Sequence, residues 1–109
     1  MNRYCLTLDL KDDADLIREY ERFHANVWPE IKDSIRSSGI ESMQIYRFLN
    51  RLCMIMDVND NFSFELKSAA DADNPKVQEW ENLMWKFQQP VPGSKAGEKW
   101  VLMNKIFEL

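Results

Sequence analysis

The sequence predicts an α+β fold of the ferredoxin-like split βαβ type, with the element order β-α-β-β-α-β. Three observations lead to this prediction: apolar residues alternate with a period of two at the start and in the middle of the chain, two segments of helical period separate them, and strand character returns at the end. With 109 residues and 45% hydrophobic content, we expect one domain spanning residues 1–109.

The first strand is predicted over Tyr4–Leu10. Its even-numbered residues share one face, and that face is wholly apolar: Tyr4, Leu6, Leu8 and Leu10. The polar stretch KDDAD follows and offers Asp12 or Asp13 as the cap of a helix that begins near Ala14.

That helix carries the only histidine of the chain, His24. Apolar residues recur around it at steps of three and four: Leu16, Tyr20, Phe23, Val27 and Ile31. At roughly 100° per residue, His24 falls within this apolar arc. We therefore expect its side chain to point inward.

A proline interrupts the same helix. The ring of Pro29 would clash with the preceding turn, so we expect a break after about Asn26 and a second helical piece that begins at Pro29. This piece should reach Ser37 or Ser38, with Gly39 as its C-terminal cap. A helix break just past His24 would loosen the backbone packing there, as the wall of a pocket requires.

Two strands should follow, over Ile40–Phe48 and Arg51–Val58, joined by Leu49-Asn50 as a hairpin. The second, RLCMIMDV, is apolar on both faces and should therefore be central.

The second half should contain two more helical segments. The stretch FSFELKSAA predicts a short helix capped by Asn61, and Asn74-Pro75 predicts the start of a helix that runs to about Gln88. PVPGSKAGE reads as a loop, and KWVLMNKIFEL as the last strand.

Charge and cysteine content exclude several classes of function. The net charge is −4, and no run of Lys or Arg is long enough to bind along a phosphate backbone. Both observations argue against nucleic-acid and membrane-surface binding. A single histidine without clustered cysteines argues against a metal site. Cys5 and Cys53 are expected to be reduced core thiols. No signal peptide or membrane span is expected, and we predict a cytoplasmic protein.

Two helical layers leave one face of a four-stranded sheet uncovered. Because several strands carry apolar residues on both faces, we expect a homodimer in which two sheets pack face to face as a dimeric α/β barrel.

The chemistry of the chain concentrates on His24 and on Tyr20, one helical turn earlier. An imidazole, a phenol and the flat ring of Trp28 or Trp80 could transfer protons to and from a sugar held against aromatic surface. A packed, hydrogen-bonded core histidine explains the same residues, and their spacing leaves both interpretations open.

Four segments resemble the L-rhamnose mutarotase family over nearly the whole chain: YERFHANVWPEI, GIESMQIYRFLNRLCMIMDV, VQEWENLMWKFQQPVP and KWVLMNKIFEL. The most specific element is Y-x-x-x-H-x-x-x-W-P-E, which begins at Tyr20 and includes His24. The resemblance implies a small dimeric α+β barrel that interconverts the anomers of a six-carbon deoxy sugar without a cofactor.

The resemblance also implies roles for single residues. His24 would be the proton donor, and Tyr20 would contact the substrate. The family's tryptophan pair falls on Trp80 and Glu81, so only its first member is kept, and a sugar-contacting tyrosine of the family corresponds to Met43. These departures leave the choice between L-rhamnose and L-fucose open, with Glu81 or Arg47 as candidate partners of a differently placed hydroxyl.

Two other functions compete with this one. Dimeric split βαβ sheets also host cofactor-independent monooxygenases, for which a large, wholly apolar pocket would argue. A non-catalytic sugar-binding module would instead hold His24 in hydrogen bonds to the protein.

Overall fold

The structure, a computed structural model, describes residues 2–109 and contains a five-stranded antiparallel sheet with four helices. The first half consists of β1 (Asn2–Leu10), α1 (Ala14–Ala25), α2 (Pro29–Ser37), β2 (Ile40–Phe48) and β3 (Arg51–Val58). The second half consists of α3 (Phe64–Ala72), α4 (Pro75–Trp85), β4 (Gln88–Gln89) and β5 (Val101–Leu102). The strand order β2-β3-β1-β4, with β5 also on β1, confirms the ferredoxin-like split βαβ fold.

The predicted boundaries of the first half are confirmed, except that β1 begins at Asn2 rather than at Tyr4. The side chain of Asp13 accepts hydrogen bonds from two backbone N–H groups of the first turn of α1, and Pro29 is the first residue of α2. Gly39 follows α2 with a φ of +100°, and a Cβ there would lie 2.6 Å from Oδ1 of Asn59. Only glycine fits this turn without strain.

Two helix boundaries of the second half differ from the prediction. The cap of α3 is Ser63 rather than Asn61, because α3 begins at Phe64 and the hydroxyl of Ser63, directly before it, accepts a hydrogen bond from the N–H of Leu66. Helix α4 ends at Trp85 rather than near Gln88, since Gln88 and Gln89 leave the helix and pair with β1.

The prediction of one long last strand is wrong. β4 pairs with Asp9 and Leu10, and β5 pairs with Leu6 and Thr7, so two short strands share the fourth position of the sheet. The loop of residues 90–100 lies between them. After the N–H of Met103 binds the carbonyl of Cys5, the chain forms no further strand. The final apolar residues are exposed: Ile106, Phe107 and Leu109.

The helices pack on one face of the sheet, where the core lies. The fully buried side chains Leu8, Leu10, Leu52 and Val58 belong to β1 and β3, and β3 is an inner strand as predicted. The opposite face carries Cys5 and Cys53, which are free and half-buried. The prediction of two unpaired thiols agrees with this finding. The prediction that they lie in the core is wrong, because both belong to the odd-numbered residues of their strands, which point away from the helices.

No helix among residues 2–109 is long and apolar enough to cross a membrane. Those residues also contain no group of three or more His, Cys, Asp or Glu side chains that could hold a metal ion.

Candidate functional site

A cavity of about 600 Å³ lies between the helices and the inner face of the sheet. Its sheet side is apolar and rich in methionine, with Met43 and Ile45 from β2 and Met54 and Met56 from β3. Its helix side carries the polar groups. All five residues predicted to form the site line this cavity: Tyr20, His24, Met43, Trp80 and Glu81.

His24 occupies the last turn of α1, and its half-buried ring lines the cavity. Its Nδ1 lies 2.9 Å from the carbonyl oxygen of Tyr20. A carbonyl can only accept a hydrogen bond, so Nδ1 carries the proton and Nε2 holds the free lone pair in the neutral ring. Within residues 2–109, Nδ1 is the only ring nitrogen of His24 with a partner. The inward orientation predicted from helical period is confirmed.

Burial lowers the pKa of His24 below its usual 6.5, and the hydrogen bond to the carbonyl of Tyr20 offsets part of that effect. The imidazole is therefore mainly neutral at pH 7. In that state Nε2 is a proton acceptor, so the resting ring is a base, whereas the family resemblance implies that His24 donates a proton.

Tyr20 is buried beside it and complements that base. The two rings are 4.3 Å apart between centroids. The Tyr20 hydroxyl accepts a hydrogen bond of 3.3 Å from Nε2 of Gln88, a buried residue that also lines the cavity. Burial raises the pKa of Tyr20 to about 12, and the bond from Gln88 acts in the opposite direction. The phenol stays protonated at neutral pH and can donate.

Trp80 supplies the aromatic wall. Its ring contacts His24 at 5.7 Å and Trp28 at 5.0 Å between centroids, both edge to face. His24 thus lies between Tyr20 and Trp80. Trp28 does not stack on His24 from the next helical turn, because α1 ends at Ala25. Trp28 packs behind Trp80 instead, next to Pro29 as the sequence suggests.

The remaining predicted contacts divide into two groups. Met43 lines the floor of the cavity and Glu81 its helical wall, where the carboxylate lies 3.4 Å from the amide nitrogen of Gln78. Arg47 does not line the cavity. Its guanidinium pairs with Glu21 at 3.3 Å and donates to the carbonyl of Leu49 at 2.7 Å, which leaves it committed outside the site.

Several polar groups of the site are not apparent from sequence patterns. Lys67 and Asp71 form an ion pair of 2.8 Å that lines the cavity from α3, and Lys99 reaches it from the loop of residues 90–100. The i,i+4 spacing of Lys67 and Asp71 is a signal for the pair, but not for its position. Gln88 carries no sequence signal, because its side chain meets Tyr20 only through the pairing of β4 with β1.

The site therefore combines a neutral base, a protonated phenol and a flat aromatic ring over an apolar floor. This arrangement can remove a proton from one hydroxyl of a bound ligand and deliver one to another oxygen. These polar groups distinguish the cavity from the wholly apolar pocket that would argue for a cofactor-independent monooxygenase.

Comparison with known proteins gives a consistent result at the level of sequence. A family model described as L-rhamnose mutarotase matches residues 3–109. The chain is 47% identical to an L-fucose mutarotase of Xanthomonas campestris, with all of this chain and 89% of that protein covered. It is also 36% identical to a Dictyostelium discoideum protein, with 97% of this chain and 88% of that protein covered.

Solved structures share the fold. An L-rhamnose mutarotase from Formosa agariphila superposes with a TM-score of 0.72 at 19% identity, covering 100% of this chain and 99% of the other. Tetracenomycin F2 cyclase from Streptomyces glaucescens superposes with a TM-score of 0.64 at 13% identity, covering 100% and 97%. At these identities the likeness concerns the fold alone.

Proposed function

Because this chain belongs to the L-rhamnose mutarotase family, we propose that its cavity binds a 6-deoxy-L-hexose and that His24 and Tyr20 move the protons of anomer exchange. The protein is an isomerase, a sugar mutarotase. The observation that carries the proposal is the pairing of a neutral imidazole, with Nε2 free toward the cavity, and a buried phenol 4.3 Å away between ring centroids.

Ring opening needs one proton removed and one delivered. Nε2 of His24 takes the proton of the anomeric hydroxyl while the Tyr20 hydroxyl donates to the ring oxygen. The bond between the anomeric carbon and the ring oxygen breaks, and the electrons of the former O–H bond form the aldehyde carbonyl.

Closure reverses these transfers. After rotation about the bond between C1 and C2, the C5 hydroxyl attacks the opposite face of the aldehyde and returns its proton to Tyr20. The imidazolium of His24 returns the other proton to the anomeric oxygen. No proton or electron is gained or lost over the cycle, so the reaction as written requires no cofactor.

The remaining residues of the cavity would bind the sugar. Trp80 offers a flat surface to the ring carbons, and the methionine floor suits the methyl group at C6. Glu81 would accept hydroxyl hydrogen bonds where the family places a second tryptophan. L-Fucose and L-rhamnose differ in hydroxyl configuration at C2 and C4, and the 47% identity to an L-fucose mutarotase favours L-fucose as the preferred substrate.

Anomer exchange measured by saturation-transfer NMR on both sugars tests this proposal. The wild type should accelerate exchange, and His24→Ala should reduce the acceleration by about 10²–10⁴-fold, the usual contribution of a general acid or base. Arg22→Ala is a matched control, because Arg22 lies on the exposed side of the same helix. Unchanged exchange by His24→Ala would overturn the role of His24. Saturable sugar binding without exchange by the wild type would indicate a binding module instead.

The proposal extends to a cytoplasmic homodimer. The sheet face opposite the helices has an apolar centre that includes Ile55 and the exposed Tyr46 and Phe48. The ion pairs Arg3–Asp57 and Asp9–Arg51 flank this centre at its two ends. An apolar patch with a charged rim is typical of a protein interface. Free thiols on this face suit a reducing compartment.

The exposed C-terminal tail supports the same assembly. Ile106 is 96% and Phe107 65% exposed, so these side chains gain from burial against a second copy. Deletion of residues 104–109 should shift the protein from dimer to monomer in analytical ultracentrifugation, whereas Lys105→Ala should leave the dimer intact. A wild type that sediments as a monomer at micromolar concentration would contradict the dimer.

A further inference from the structure

Among residues 2–109, Gln88 is the one buried amide side chain that hydrogen-bonds the proposed proton donor, Tyr20. Its exposed fraction is 6%, that of Tyr20 is 3%, and the amide nitrogen donates to the phenol oxygen at 3.3 Å. Both side chains line the cavity. We propose that Gln88 is a positioning residue that aims the Tyr20 hydroxyl at the sugar and stabilises the phenolate formed when the proton leaves.

The direction of the hydrogen bond gives Gln88 this effect. An amide N–H can only donate, so it occupies a lone pair of the phenol oxygen and leaves the O–H free to point elsewhere. The amide of Gln88 occupies one side of the Tyr20 hydroxyl, and the phenol ring is buried in the protein. The hydroxyl proton can therefore point into the cavity. Gln88 therefore sets the orientation in which Tyr20 acts as an acid.

The electrostatics support the second part of the role. A buried phenol is a weak acid, because its phenolate is no longer hydrated. Burial therefore raises the pKa of Tyr20 further above neutral pH. The amide N–H binds the phenolate more strongly than the phenol, since hydrogen bonds to a charged group are the stronger ones. It therefore lowers the barrier to proton donation.

The backbone fixes Gln88 in place. Gln88 pairs with Leu10 in the sheet, and the carbonyl of the preceding Phe87 accepts a hydrogen bond of 2.8 Å from Lys11. Its neighbour Gln89 is half-buried and does not line the cavity, which makes it a matched control. The two glutamines differ in their contact with Tyr20 and share their chemistry and strand.

Gln88→Met keeps the length of the side chain and removes the donor. Because this inference rests on the proposed function, the first readout is independent of sugar: the NMR shift of ¹³Cζ of Tyr20, assigned with Tyr20→Phe. This resonance should move in Gln88→Met and stay in place in Gln89→Met. An unmoved resonance in Gln88→Met would overturn the proposal, and Gln88→Leu serves if Gln88→Met does not fold.

Kinetics supply the second readout. The kcat of exchange should fall about ten- to hundredfold in Gln88→Met, as expected for a lost hydrogen bond to a developing charge, with KM nearly unchanged. In a Tyr20→Phe background the same substitution should have no further effect. An equal loss in that background would show that Gln88 acts without Tyr20. A wild type inactive on both sugars would remove the proposed function, while the NMR shift still decides the hydrogen bond.

Discussion

Replacing Trp80 with alanine is the substitution that best tests how the cavity wall is built. Trp80 is 8% exposed and its ring meets three aromatic neighbours: Phe23 at 6.3 Å, His24 at 5.7 Å and Trp28 at 5.0 Å between centroids. Truncation of a buried tryptophan to alanine costs roughly 3–5 kcal/mol. Because one side of this ring already borders the cavity, we expect the lower end, about 3 kcal/mol.

Thermal unfolding followed by circular dichroism measures this loss. For a chain of this size, about 3 kcal/mol corresponds to a fall in Tm of roughly 12 °C. All proteins should be compared at one concentration, because the proposed dimer would make Tm depend on concentration. Trp80→Phe keeps an aromatic ring at the site and should lose less than half as much.

Trp85→Ala is the matched control from the same helix. Trp85 is 37% exposed, and its main polar contact is the Lys99 ammonium, 5.0 Å from the ring centroid. Such an exposed cation–π contact contributes about 0.5–1 kcal/mol, so we expect a fall in Tm of about 2–4 °C. If Trp80→Ala unfolded at no lower temperature than Trp85→Ala, the contacts of Trp80 with Phe23, His24 and Trp28 would not stabilise the fold as expected.

Two further predictions concern pH and backbone strain. Because the pKa of His24 is lowered below 6.5, catalysed exchange should be constant near pH 7–8 and should fall as the pH drops through that pKa and Nε2 gains a proton; a rate, corrected for uncatalysed exchange, that rises toward low pH would contradict the base role. Gly39→Ala should cost about 1–2 kcal/mol in urea unfolding for the positive φ, and more for the close approach to Asn59. Gly93→Ala, with a φ of +92° and no atom near its Cβ, is the control and should show the φ contribution alone.

Local chemistry explains which features could be read from the sequence. The cap at Asp13, the break before Pro29 and the glycine turn at Gly39 each depend on residues within a few positions of one another. The inward orientation of His24 depends only on helical period, so it too was predictable. The resemblance to the mutarotases added the family, which the comparisons confirm.

Features formed by distant segments could not be read in the same way. The side chain of Gln88 meets Tyr20 across 68 positions of sequence, and no local pattern records that contact. The length of the last strand was misjudged because an alternating apolar pattern does not show whether a strand has a partner within its own chain.

The sequence by itself determined the order of the elements from β1 to β3, the break beside His24 and the position of Tyr20 and His24 on the inward face of α1, because periodicity and capping act over a few residues. Only the tertiary structure decided that Gln88 holds the phenol and that Arg47 lies outside the cavity. These outcomes follow from the pairing of β1 with β4 and from side chains brought together across the sheet, where the chain contributes contacts that no single segment contains.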